Sequence, residues 1–99
     1  MGFDVRLESE RAEPIGETVH DSSNHLAKAL EGANGTLLGF IDPYGNTVFN
    51  QLQLPLLVKE FDSALARVPP PLRTHLQSVV SLLRSGLDRP HIYARFIGD

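Results

Sequence analysis

The chain has 99 residues, of which 41% are apolar, and a formal net charge of −3. This length fits one domain, and the apolar fraction is high enough for a packed core and too high for a disordered chain. The absence of cysteine excludes disulfides, thiolate metal sites and a cysteine nucleophile. It is also compatible with a reducing compartment, so we expect a cytoplasmic protein.

The charge is unevenly distributed along the chain. Residues 1–50 carry 3 Lys or Arg and 8 Asp or Glu, a balance of −5, whereas residues 51–99 carry 6 and 4, a balance of +2. An acidic chain without a dense Lys/Arg cluster is a poor nucleic-acid binder, because phosphate neutralisation supplies most of that affinity. Long apolar stretches and a basic segment before an apolar run are both missing, so we expect neither a membrane span nor a secretory signal.

The first part of the chain predicts two strands and a short helix. Apolar and polar residues alternate from Phe3 to Glu8, which is typical of a half-buried strand. After a polar loop, residues 15–19 are a second, shorter strand candidate. The segment 20–24 is rich in residues that cap helix N-termini, and a short helix that carries Leu26 and Leu30 follows.

A β-hairpin is predicted over residues 37–50. Apolar residues flank an Asp-Pro-Tyr-Gly sequence on both sides. Asp42 suits the first position of a type I turn, the proline presets φ for the second, and Gly45 can take the left-handed conformation that closes a bulged hairpin. The turn should hold Tyr44 and Asn46 in solvent at a rigid tip.

Two long helices and a last strand are predicted after the hairpin. Asn50 and Gln53 resemble a capping box, but proline prefers the first helical position, so we favour a helix that starts at Pro55 after an irregular approach. The prolines at 69–71 separate this helix from a second one with its own apolar stripe. Residues 91–97 alternate between apolar and polar side chains, as a strand does.

These elements together predict a single small α+β domain over residues 1–99. We expect a mainly antiparallel sheet of about three to five strands, with two long helices and one short helix whose apolar stripes meet on one face of the sheet. The first and last strands should be neighbours, because both are short and apolar on one side.

No residue pattern establishes a reaction. His20, Asp21 and His25 are ligand-type residues, but their spacing does not place both histidines on one helical face, so no metal site is predicted. The carboxylates within residues 8–13 lie in a polar loop rather than a cleft. Neither a phosphate-binding loop nor a serine elbow is present, and we expect His75 on a solvated helix flank. We therefore expect no cofactor and favour a protein without catalytic activity.

Amide, aromatic and charged side chains provide the candidate binding surface. The amides within residues 50–53 could bind a peptide or sugar, although capping of the helix would use the same groups. Tyr93 and Arg95 would project together from an open sheet face, and Arg95 can alternatively pair with an acidic neighbour such as Asp4 or Glu8. The candidate partner-binding residues are Asp42, Tyr44, Asn46, Asn50, Gln51, Gln53, Tyr93 and Arg95.

Three stretches of the chain, residues 2–7, 40–50 and 95–99, resemble small uncharacterised bacterial proteins of unknown function. The resemblance touches both ends and the middle of the chain. It implies a bacterial-type protein and carries over no activity, cofactor or partner.

The function that the sequence favours is a non-enzymatic protein-binding module of the immunity, inhibitor or adaptor kind. The chain is small and acidic, and it has one rigid, aromatic-tipped turn but no catalytic or metal-binding set. A partner with a basic surface would complement the acidic N-terminal half. The alternative is a small enzyme or ligand-binding subunit whose site forms at a homodimer interface, with His91, Tyr93, Arg95 and the amides within residues 50–53 as its residues.

Overall fold

The computed structural model describes residues 3–21, 25–30, 37–42 and 44–98. The sheet contains four antiparallel strands in the order β2-β1-β4-β3, namely β1 (Asp4–Glu8), β2 (Pro14–Val19), β3 (Asn46–Phe49) and β4 (Tyr93–Ile97). The helices are α1 (His25–Leu30), α2 (Leu54–Leu65) and α3 (Pro70–Ser85), and a 3-10 turn spans Leu38–Phe40. The predicted α+β class with a mainly antiparallel sheet is confirmed.

The first and last strands lie side by side in the centre of the sheet, as their one-sided apolar patterns predict. In the register of β1 with β4, Val5 is opposite Phe96 and Leu7 is opposite Ala94. All four side chains are buried in the same core as the apolar stripes of the helices. Because side chains alternate along a strand, this register gives the sheet one apolar face and one more polar face.

Phe96 lies at the centre of the core. Its ring makes an edge-to-face contact with Phe49 of β3, at 5.7 Å between centroids, and stacks on Phe61 of α2 at 5.9 Å. Aromatic pairs in these geometries contribute about 0.5–1.5 kcal/mol beyond the burial of their area. The three rings therefore connect an edge strand, a central strand and a helix.

The start of α2 settles the competition between the capping box and Pro55. The N–H of Asn50 donates to Gln53 Oε1 at 2.8 Å, and the N–H of Gln53 donates to Asn50 Oδ1 at 3.0 Å. The helix nevertheless begins at Leu54, and Pro55 occupies the first turn, where no N–H donor is needed. The expected late start after an ordered, irregular approach is confirmed, one residue before Pro55.

The proline run separates α2 from α3, as predicted. Pro69 is extended and precedes the first residue of α3, so the fixed φ of the following prolines suits the first helical turn. At the other end of α3, the chain passes close to the sheet. A Cβ on Gly86 would lie 3.1 Å from Leu7 and 3.2 Å from Ile92, so a larger residue here would displace these side chains by a few tenths of an ångström.

The hairpin prediction is wrong for its first strand. Leu38–Phe40 forms a 3-10 turn, and β3 pairs with β4 instead of with the segment before it. The Glu60 carboxylate of α2 accepts hydrogen bonds from the N–H groups of Leu37 and Leu38, at 2.9 and 3.1 Å. These bonds satisfy donors at the start of a helical turn. The buried positions Leu37, Leu38 and Ile41 accordingly follow helical spacing and do not alternate.

The expectation that His75 lies on a solvated flank is also wrong. Its side chain is only 10% exposed, and Nε2 lies 3.8 Å from Oδ2 of the fully buried Asp21 carboxylate. The same Oδ2 accepts the N–H of Leu26 in α1 at 2.7 Å, which confirms the capping role of Asp21. His75 is covered because α1 packs against α3. The other expected N-cap residues, 22–24, and the proline of the turn, Pro43, lie outside the described residues.

We expect Phe61→Ala to lower the free energy of unfolding by about 3–5 kcal/mol, because it leaves a cavity beside Phe96. Chemical denaturation of the full chain measures this difference. Leu52→Ala is the control, since Leu52 is 88% exposed and its truncation should cost less than about 0.5 kcal/mol. Equal stability of the two variants would contradict the placement of Phe61 in the core.

Candidate interaction surface

The turn before β3 holds Tyr44 in solvent. Asp42 Oδ1 accepts the N–H of Tyr44 at 2.9 Å, and the N–H of Asp42 donates to Thr47 Oγ1 at 2.8 Å. The N–H of Gly98 donates to the Gly45 carbonyl at 2.7 Å and joins the turn to the end of β4. Tyr44 is 80% exposed. The expectation of an exposed tyrosine at an ordered tip is therefore confirmed.

Gly45 contributes to the turn in a different way from the one expected. Its φ lies outside the left-handed region, so the prediction of positive φ at this position is wrong. The Asp42 carboxylate instead approaches so closely that a Cβ on Gly45 would lie 2.8 Å from Asp42 Oδ2. Glycine leaves room here for the side chain that fixes the backbone of Tyr44, and a Cβ would displace the end of that side chain.

Large apolar side chains that remain exposed are concentrated in one segment of the described chain. They are Phe40 at 71%, Tyr44 at 80%, Val48 at 43%, Leu52 at 88% and Leu56 at 43%. We call these five side chains the apolar edge, because they run from the 3-10 turn along the edge strand β3 to the start of α2. Single exposed apolar residues are ordinary, whereas a concentration of them is typical of an interaction surface.

The polar face of the sheet carries a buried carboxylate between two arginines. Glu8 is 1% exposed, and its two oxygens accept hydrogen bonds from Arg6 Nε at 2.6 Å and Arg95 Nε at 2.8 Å. Arg6 and Arg95 are directly opposite in the register of β1 with β4, where two like charges repel. The negative charge of Glu8 compensates the positive charges of both guanidinium groups. The expected pairing of Arg95 is confirmed for Glu8, while Asp4 lies 3.1 Å from His20 instead.

The predicted site residues on the strands share this polar face. Tyr93 and Arg95 lie on it together, as the alternation of β4 predicts. In the register of β3 with β4, Val48 is opposite Arg95 and Asn46 is opposite Ile97. Asn46 and Val48 therefore extend the polar face to the outer edge of the sheet, next to the turn that carries Tyr44.

The amide side chains of the predicted site bond to the protein's own backbone. Gln51 Nε2 donates to the carbonyls of residues 86–87, both at 3.3 Å, and Gln51 Oε1 accepts the N–H of Ile92 at 3.1 Å. Asn50 and Gln53 bond reciprocally at the start of α2. Asn50 and Gln53 thus take the capping role that the sequence left open for these amides, whereas Gln51 bonds to the backbone of residues 86–92.

The sequence pattern does not identify every member of the apolar edge. Phe40 was expected in a strand, and Leu52 and Leu56 lie in a leucine-rich run in which composition cannot tell a buried leucine from an exposed one. The helical period offers a partial signal. Counting from Leu54, the buried positions of α2 continue at Leu57, which leaves Leu56 off the stripe.

A groove of about 640 Å³ lies between β2 and α3. Its lining supplies one carboxylate and three hydroxyl groups, through Glu17, Val19, Thr74, Gln77, Ser78, Ser81 and Leu82. A lone carboxylate among hydroxyl groups does not define a reaction. Within the described residues, no three His, Asp or Glu side chains converge as a metal site requires. In the same part of the chain, no helix combines the length and apolarity needed to cross a membrane.

Comparisons with protein-family models, with curated proteins and with solved structures found no match to this chain. The resemblance to small bacterial proteins therefore stays a prediction. The function has to be argued from the surface itself.

We expect Glu8→Gln to lower the free energy of unfolding by about 2–3 kcal/mol, because it leaves two arginines facing each other without a carboxylate. Denaturation at low salt measures the loss. Glu13→Gln is the matched control, since Glu13 is exposed and should change stability by less than about 0.5 kcal/mol. A similar effect of both substitutions would show that the buried carboxylate does not connect the first and last strands.

We expect Gly45→Ala to lower the free energy of unfolding by about 1 kcal/mol, because the added Cβ displaces the Asp42 carboxylate from the turn. Gly39→Ala is the control, since a Cβ there meets nothing within 4 Å and alanine reduces the freedom of the unfolded chain. Thermal denaturation of both variants measures the difference. A neutral Gly45→Ala would mean that the turn tolerates another position of the Asp42 carboxylate.

Proposed function

We propose that this chain is a non-enzymatic protein-binding module, of the immunity, inhibitor or adaptor kind, that contacts its partner through the apolar edge. The observation that carries the proposal is the concentration of exposed large apolar side chains between Phe40 and Leu56. Burying such side chains at a contact contributes about 25 cal/mol for each Å² of apolar area removed from water.

Tyr44 is the residue on which we expect the contact to depend most. Its backbone is already fixed by the hydrogen bonds to Asp42, so binding costs little conformational entropy beyond that of the ring. Tyrosine is enriched among the residues that dominate binding free energy, because it offers a large apolar ring and a polar tip. Leu52 and Phe40, the most exposed of the other members of the apolar edge, would add further apolar area to the contact.

Three of the exposed acidic side chains lie at the far edge of the sheet, whereas Asp42 lies in the turn that carries Tyr44. Glu10, Glu13 and Glu17 are exposed in the loop between β1 and β2 and on β2, which is the edge of the sheet opposite β3. A basic surface on the partner would therefore speed the encounter through long-range attraction, while the apolar edge makes the contact. If charges act on the encounter and apolar side chains make the contact, raising the salt concentration should lower the association rate more than it raises the dissociation rate.

We expect Tyr44→Ala to weaken capture of the partner by tenfold or more, about 1.4 kcal/mol, with little change in stability. The immobilised full chain is incubated with native lysate, and the retained proteins are quantified with the wild type and each variant. Gln77→Ala is the control, because Gln77 is exposed on α3, away from the apolar edge.

Two results would contradict the proposal. One is equal capture by the wild type, Tyr44→Ala and Leu52→Ala. The other is unfolding of Tyr44→Ala with intact binding per folded molecule, which would make Tyr44 a packing residue.

A further inference from the structure

Within the part of the chain that the structure describes, the outer edge of β3 has backbone groups with which no other strand pairs. The bond from Gly98 N–H to the Gly45 carbonyl continues the register of β3 with β4 by one pair. In an antiparallel ladder, hydrogen-bonded and non-hydrogen-bonded pairs alternate, so the N–H and C=O groups of Thr47 point to β4 and those of Asn46 and Val48 point outward. Within the described residues, no backbone hydrogen bond reaches β3 from that side.

The other edge of the sheet is protected in ways that β3 is not. β2 begins at Pro14, has Gly16 at a φ of 73°, exposes Glu17, and its pairing with β1 contains a register irregularity. Proline, distortion of the strand and charge are the devices that prevent a sheet edge from pairing with another chain. β3 contains no proline, glycine or charged residue.

The charge distribution identifies the strand that would fit this edge. Two copies of a chain with a net charge of −3 repel each other at long range. No charged residue lies between Asp42 and Lys59, and this segment includes all of β3 and the exposed Leu52 and Leu56. A second copy therefore meets no charged side chain on β3 itself, and Asp42, which donates its N–H to Thr47 Oγ1, lies at the end of this edge. The second copy presents a strand of the same length and chemistry.

We propose that two copies of this chain pair through β3, antiparallel about a two-fold axis. Asn46 of each copy lies opposite Val48 of the other, because this register joins outward groups to outward groups, and each such pair exchanges both of its N–H···O bonds. The two sheets become one continuous sheet, and the exposed Val48 side chains are covered. Tyr44 precedes the paired residues and Leu52 follows them, so both stay available to a different protein in the dimer. Val48 is used by the pairing instead, and the association therefore goes beyond the proposed contact with a different protein.

Sedimentation of the full chain over a concentration series tests the pairing. The wild type should pass from monomer to dimer as concentration rises. Val48→Pro should stay monomeric, because it removes an outward N–H while leaving the bonds of Thr47 and Phe49 to β4 in place. Val48→Lys should also stay monomeric, because it places like charges at the two-fold contact. Val48→Thr is the matched control and should still form a dimer, since it keeps the N–H and the β-branched shape.

Amide hydrogen exchange gives a second measurement that does not depend on variants. Exchange of the Val48 N–H should slow by about tenfold or more as the dimer forms. The Phe49 N–H, which points to β4, should be protected to the same degree at all concentrations and serves as the internal control.

Three results would overturn the pairing: a monomer up to about 1 mM, a dimer that survives in both Val48→Pro and Val48→Lys, or Val48 exchange that is independent of concentration. The outcomes are separable from those of the proposed function. A monomer that captures a protein through Tyr44 would overturn the pairing alone, and a β3-dependent dimer that captures nothing would overturn protein binding alone.

Discussion

The pairing of β1 with β4 is the constraint on which the rest of the structure depends. These strands come from opposite ends of the chain, yet they form the centre of the sheet. Because β1 and β4 occupy the centre, β2 and β3 lie at the edges, and the helices cover the face that carries Phe96. The entropy of closing so long a loop grows slowly with its length. Burial of the apolar residues of both strands against α2 and α3 offsets that cost.

The same pairing explains why a carboxylate is buried on the polar face. The register sets Arg6 directly opposite Arg95, and Glu8 lies on the same face within reach of both guanidinium groups. An exposed ion pair contributes about 0–1 kcal/mol, but removing one member of a buried set leaves the remaining charges uncompensated. Glu8 therefore connects the two ends of the chain in a way that a surface ion pair between the strands would not.

The fold separates charge from apolar exposure on the two edges of the sheet. Carboxylates occupy the β2 edge, whereas the β3 edge and the start of α2 are uncharged. An apolar contact is most favourable where no charged group must lose its water. The amide side chains beside the apolar edge, those of Asn50, Gln51 and Gln53, are already bonded to the backbone. Binding at this edge would therefore cost little desolvation of these amides.

The sequence by itself determined the elements that depend on local chemistry. The alternation of β1 and β4, the prolines before α3 and the reciprocal caps of Asn50 and Gln53 involve residues close together in the chain, so their geometry could be predicted. Only the tertiary structure decided the features that depend on distant partners. The 3-10 turn forms because Glu60 reaches its N–H groups from α2, and His75 is buried because α1 packs against α3.

The candidate site also depends partly on local residues and partly on distant contacts. The turn that exposes Tyr44 follows from local residues, but the apolar edge exists because strand order leaves β3 outermost, and strand order is set by which apolar faces pack together across the whole chain.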